Sequence, residues 1–164
     1  MIYKFFTYFS FLLSLCFFHL ASSSMIEDGE YRIRCHTRNG GIRDLEAFPN
    51  KDVVRPCVES RDQDQKWVVK SIGNGYYQIT CFTTNGGVRY LEAFPNDDIV
   101  RPRAESRDQD QKWFFAHIDN NCYHILCNTK NGGLRALEAF PNKDEVRPRV
   151  KSLDQDQRWQ FIKW

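Results

Sequence analysis

The chain has 164 residues, a net charge of +2, and 41% hydrophobic and 15% aromatic residues, enough apolar material for one packed domain. Acidic and basic residues alternate without long like-charged blocks, which excludes the strong field that nucleic acid or acidic lipid would call for. No stretch beyond the N-terminal leader is long and apolar enough to span a bilayer.

Lys4 is the only charge before an apolar run from Phe5 to Ala21, and the small residues Ala21, Ser22, Ser23 and Ser24 follow. This order of regions predicts a secretory signal peptide over residues 1–24, cut after Ser23 or Ser24. A secreted, extracellular domain over 25–164 is the expectation. It carries no Asn-x-Ser/Thr sequon, so no N-glycosylation is expected.

The rest of the chain repeats. Trp67, Trp113 and Trp159 are 46 residues apart, as are Phe48, Phe94 and Phe140, and Tyr31, Tyr77 and Tyr123. The copies run over 29–74, 75–120 and 121–164 with no insertion or deletion, the signature of a repeat architecture. In the first copy Tyr31, Ile33 and Cys35 alternate with Arg32, Arg34 and His36, a strand period. Asn39-Gly40-Gly41 marks a hairpin turn. A second strand is predicted through Ile42 to Phe48 with Leu45 inward, then a turn at Pro49 to Asp52. Val53 to Val58 reads as a third strand, with Pro56 placing it at an edge or irregular position. The polar loop Ser60 to Asp64 precedes a fourth strand, Trp67 to Ile72, and Gly73-Asn74-Gly75 leads into the next copy. Twelve strands in three equal, equally regular units, with the last ending at Trp164 and no atypical end copies, predict closure of last strand on first. The expected fold is all-β, a pseudo-threefold β-trefoil.

Each copy carries the QxW element: Gln65-Lys66-Trp67, Gln111-Lys112-Trp113 and Gln157-Arg158-Trp159. Each also has the Leu-Glu-Ala segment after the turn, and the run before it is Gly75-Tyr76-Tyr77-Gln78-Ile79 in the second copy. Together these resemble the ricin-B-type lectins over the whole of 29–164. The resemblance implies a β-trefoil that binds sugars or glycoproteins, with each Trp in the core and each Gln supporting its loop. It places the family's acidic ligand on Glu46, Glu92 and Glu138, and its polar partner on Asp64, Asp110 and Asp156. The stacking aromatic falls on Arg55, Arg101 and Arg147, planar cations that suit an anionic glycan better than a neutral one. Phe48, Phe94 and Phe140 are the nearest aromatics and serve either as platforms or as core residues. Asn50, Asn96 and Asn142 flank them as amide donors and acceptors. Arg43, Glu46, Asp52, Arg55 and Asp62, with their equivalents, alternatively form repeated surface ion pairs.

Six cysteines are present, and Cys16 lies in the leader. Cys35, Cys81 and Cys127 share one repeat position on the inward face, where buried free thiols are expected. Cys57 and Cys122 occur once each. The resemblance puts Cys57 at one end of an intra-repeat disulfide whose other end is here Asp44. His36, His117 and His124 are non-equivalent, and no metal, cofactor, triad or phosphate-loop signature is present. Three matching polar surfaces point to repeated small-ligand sites on a binding protein rather than an enzyme. The leading expectation is a secreted lectin with up to three glycan sites. The alternatives are a trefoil protease inhibitor or host-interaction protein acting through one loop, and the detached sugar-binding module of an enzyme.

Overall fold

A computed structural model describes residues 26–84 and 86–164, and the predicted leader lies outside the described residues. Among those residues are twelve strands: β1 (Gly29–Thr37), β2 (Gly41–Phe48), β3 (Val53–Cys57), β4 (Trp67–Gly73), β5 (Tyr76–Thr83), β6 (Gly87–Phe94), β7 (Ile99–Arg103), β8 (Trp113–Asp119), β9 (Cys122–Thr129), β10 (Gly133–Phe140), β11 (Glu145–Arg149) and β12 (Trp159–Lys163). No helix of the described residues is long and apolar enough to cross a membrane.

The first and fourth strands of the copies close a six-stranded barrel. β1 pairs with β4, β4 with β5, β5 with β8, β8 with β9, β9 with β12, and β12 with β1. The closing ladder runs from Tyr31 opposite Lys163 to Cys35 opposite Trp159. Closure removes the open edges that a flat sheet would leave. The remaining strands form three hairpins, β2–β3, β6–β7 and β10–β11, whose second strands touch one another around the threefold axis. The fold is a β-trefoil.

Period-two alternation does set the faces. Tyr31, Ile33 and Cys35 are buried, and Arg32, Arg34 and His36 are not. β3 pairs only with β2 among the described strands, so the missing N–H of Pro56, opposite Leu45, costs no ladder bond on a further side. Trp67, Trp113 and Trp159 are fully buried. Each indole N–H donates to the carbonyl of Leu45, Leu91 or Leu137 at 2.7–2.8 Å, so the largest core side chains leave no polar atom unpaired. Gly41, Gly87 and Gly133 have φ of +69°, +65° and +65°, the left-handed backbone their hairpin turns need.

Candidate functional site

The QxW glutamine is a buried polar clamp. Gln65 Oε1 accepts the Ser60 N–H at 2.8 Å, while its Nε2 donates to the Val58 carbonyl at 2.7 Å and to Glu46 Oε2 at 2.6 Å. Gln111 makes the same bonds to Ser106, Ala104 and Glu92, and Gln157 to Ser152, Val150 and Glu138. All three glutamines are 0–1% exposed, and burial without these partners would be costly. The clamp therefore holds the polar loop against the second strand. Glu46, Glu92 and Glu138 are its third partners. Burial pushes the carboxyls of Glu92 and Glu138 above the usual range, partly offset by the glutamine bond.

Arg55, Arg101 and Arg147 lie beside the threefold axis. Each reaches back to an aspartate of the preceding copy: Arg101 to Asp52 at 2.7 Å, Arg147 to Asp98 at 2.9 Å, and Arg55 to Asp144. Asp52, Asp98 and Asp144 sit at φ of +55°, +56° and +55°, a backbone that Asp tolerates better than most residues. Their position ends the Phe-Pro-Asn turn and points the carboxylate across the copy boundary. The same guanidiniums lie over Phe48, Phe94 and Phe140 at 5.2–5.3 Å. Arg103 and Arg149 add second cations over Phe94 and Phe140, where the first copy has Cys57. The arginines at the family's stacking position are thus tied into a cyclic, charge-compensated ring. The phenylalanines are half-buried, one part packed under arginine.

The other part of Phe140 and of Phe94 lines a cleft. One cleft, of about 190 Å³, is bounded by Phe140, Pro141, Asn142 and Asp156 of the third copy and Asn39 of the first. Its counterpart, of about 160 Å³, is bounded by Phe94, Pro95, Asn96 and Asp110 of the second copy and Asn131 of the third. Each cleft therefore spans a junction between successive copies. Asp156 Oδ1 accepts the Arg38 N–H at 2.7 Å, and Asp110 Oδ1 accepts the Lys130 N–H at 2.9 Å. That bond fixes the turn that presents the asparagine. The turn also packs closely. A Cβ on Gly40 would lie 2.4 Å from Pro141 Cβ, and one on Gly132 2.6 Å from Pro95 Cβ. At the first-to-second junction a Cβ on Gly86 would lie 2.9 Å from Pro49 Cβ, and the Thr84 N–H donates to Asp64 at 3.3 Å. Asn85 of that turn lies outside the described residues.

Of the residues singled out by sequence, Phe94, Asn96 and Asp110 come together, as do Phe140, Asn142 and Asp156. Glu92, Arg101, Glu138 and Arg147 lie outside the lining of those clefts, engaged by the glutamine clamp and the axial ring. Phe48, Asn50, Asp64, Glu46 and Arg55 occupy the equivalent positions of the first copy. Asn39 and Asn131, read from sequence only as turn residues, prove to be cleft residues.

Cys35, Cys81 and Cys127 are buried free thiols. Burial, the largest cause, pushes Cys81 up to about 12 and the other two further, so these thiols stay protonated. Asp44, at the place of a disulfide partner, stands opposite Cys57 in the β2–β3 ladder. It is fully buried and takes both Nε and Nη2 of Arg34, at 2.7 and 2.9 Å. An ion pair occupies that position instead of a disulfide. His124 is buried too, with Nδ1 3.2 Å from the Gln157 carbonyl. Among the described residues no His, Cys, Asp and Glu group has the arrangement of a metal site.

No family model and no curated protein matches the chain. Solved structures do. The designed threefold-symmetric protein ThreeFoil superposes with a TM-score of 0.65 at 20% identity, over 84% of this chain and all of that one. SeviL, solved bound to the asialo-GM1 saccharide, gives 0.61 at 17% identity over 84% of this chain and 98% of its own. The Polyporus squamosus lectin, bound to a sialylated influenza-binding epitope, gives 0.64 at 17% identity over 85% of this chain, which spans half that lectin's length. The likeness is one of fold.

Proposed function

We propose that the protein is a secreted, non-enzymatic lectin that binds a neutral sugar unit in each junction cleft. The observation that carries this reading is the recurrence of one donor–acceptor set around an aromatic edge. Phe, Asn and Asp come from one copy and Asn from the next in both clefts, whose linings differ only in carrying Lys143 in one and Asp97 in the other. Two amides and a carboxylate supply the directed bonds that adjacent hydroxyls need, and Phe94 or Phe140 supplies an apolar wall for the sugar's C–H face. The five arginines around the axis, Arg55, Arg101, Arg103, Arg147 and Arg149, meet five carboxylates, Asp52, Asp97, Asp98, Asp144 and Glu145, so no net positive charge there favours an anion. The glycan-bound trefoil lectins of the same fold support a glycan as the ligand.

Clefts of 160–190 Å³ are smaller than typical small-molecule pockets of about 300–1,000 Å³. Each therefore holds a single ring weakly, and useful affinity comes from engaging two or three clefts on one branched glycan. The test is a glycan array comparing wild type with an Asn39/Asn96/Asn131/Asn142→Ala variant. These side chains hold no structural bond described above. Wild type is expected to bind a defined set of neutral glycans, and the variant to lose that binding with its circular dichroism and melting unchanged. Undiminished binding by the variant, or a blank array for wild type, refutes the proposal.

A further inference from the structure

One cleft breaks the threefold pattern. With a volume of about 410 Å³, it lies where β1, the polar loop of the first copy and the end of β12 meet, and its wall includes Arg32, Glu59, Ser60, Arg61, Lys163 and Trp164. This size falls within the range of small-molecule sites. Trp164 is 42% exposed but anchored, its backbone N–H donating to the Glu30 carbonyl at 3.0 Å.

The charges in this cleft do not cancel. Glu59 is shared between Arg32 and Arg34, and Arg34 also holds Asp44, so two cations meet two carboxylates there. That leaves Arg61 and Lys163. Lys163 reaches Glu27 only at 3.7 Å and its side chain is 61% exposed. Arg61 enters no ion pair among the described residues. The other copies do not repeat the set. At the positions of Arg32, Arg61, Lys163 and Trp164 the second junction has Gln78, Arg107, Ser71 and Ile72, and the third His124, Leu153, His117 and Ile118. Among the described residues, only here do an exposed indole, an arginine without an ion pair and a lysine held loosely by Glu27 face one cavity.

We propose that this cleft binds an acidic saccharide unit. The sugar ring lies against Trp164, and its carboxylate or sulfate pairs with Arg61 and Lys163. The choice of a saccharide, rather than another ring-bearing acid, rests on the lectin reading above.

Trp164 itself is the reporter, because Trp67, Trp113 and Trp159 are fully buried. Acrylamide quenching of the full chain is measured with glucuronic acid, galactose 6-sulfate, galactose or sodium sulfate at matched ionic strength. The acidic sugars are expected to shield the indole, and Trp164→Phe to abolish the quenchable signal. Arg61→Ala/Lys163→Ala is expected to weaken the acidic sugars about tenfold or more, as for loss of charged hydrogen bonds. The proposal is overturned if neither acidic sugar shields Trp164, if galactose shields it equally, or if sodium sulfate alone does as well as the sulfated sugar. The four-asparagine variant must leave the shielding intact. Shielding without array binding to neutral glycans refutes the junction-cleft reading alone, and array binding without shielding refutes this one alone.

Discussion

Removing Arg34 should destabilise the fold far more than removing the whole pair to which it belongs. Asp44 is fully enclosed, and its carboxylate depends on two charged bonds from Arg34, whose own side chain is 14% exposed. Arg34→Ala strands a buried charge, which costs about 3–5 kcal/mol. The lower end, about 3 kcal/mol, applies here because the vacated space next to Arg34 opens to solvent and admits water. For a domain of this size that lowers the melting midpoint by about 10 °C. The third copy supplies the control, since Leu126 and Ala136 stand where the first has Arg34 and Asp44. Arg34→Leu/Asp44→Ala should fall within about 1 kcal/mol of wild type, as buried ion pairs replaced by apolar residues often do. Asp44→Ala alone should cost less than Arg34→Ala, because Arg34 keeps Glu59 at 2.6 Å. Urea denaturation at pH 7, fitted for midpoint and slope, measures all four proteins. A double variant as unstable as Arg34→Ala, or an Arg34→Ala midpoint equal to wild type, refutes the argument.

Gly132→Ala should cost about 1–3 kcal/mol by overpacking against Pro95 and selectively weaken sugar binding at the junction of the second and third copies. Chemical denaturation and a glycan titration check both effects. Gln111→Leu strands the Ser106 N–H, the Ala104 carbonyl and Glu92, each worth about 1–3 kcal/mol if left unpaired. A loss below about 1 kcal/mol in urea would show that the clamp is dispensable. Alkaline pH should destabilise the protein through its buried thiols. Cys81 holds its proton to about 12 in the fold, whereas an unfolded cysteine releases it near 8.5. Its contribution is therefore intact below about pH 8.5 and is lost as the pH climbs toward 12, reaching about 2 kcal/mol by pH 10. Urea midpoints at pH 7 and pH 10 should converge in Cys81→Ala relative to wild type.

The barrel was legible because its information is local and periodic. The 46-residue interval, the alternation at Tyr31, Ile33 and Cys35, and the turn at Asn39-Gly40-Gly41 all act within a few residues of themselves. The clefts were half legible. Phe140, Asn142 and Asp156 lie in one copy, and motif reading places them together. Asn39 belongs to the same cleft across more than one hundred residues of chain, and only the closing of β12 on β1 brings it there. A signal existed: a hairpin turn needs one glycine at positive φ, here Gly41, yet the asparagine and the first glycine are also identical in all three copies. For the arginines at the stacking position the sequence leaves two readings open, a ligand contact and a repeated ion pair with the Asp52-type residue, and a strand pattern cannot choose between them because the aspartate that faces each arginine belongs to the preceding copy.

Placing the clefts on the seams has a consequence for how such a protein can be built. The excised third copy would own two halves of different clefts, Asn131 of one and Phe140, Asn142 and Asp156 of the other, and neither would be complete. Three separate copies associating as a ring would restore both. If the clefts bind sugar as proposed, recognition is a property of assembly, and a sugar bridging a seam would act as a rivet that favours the closed ring.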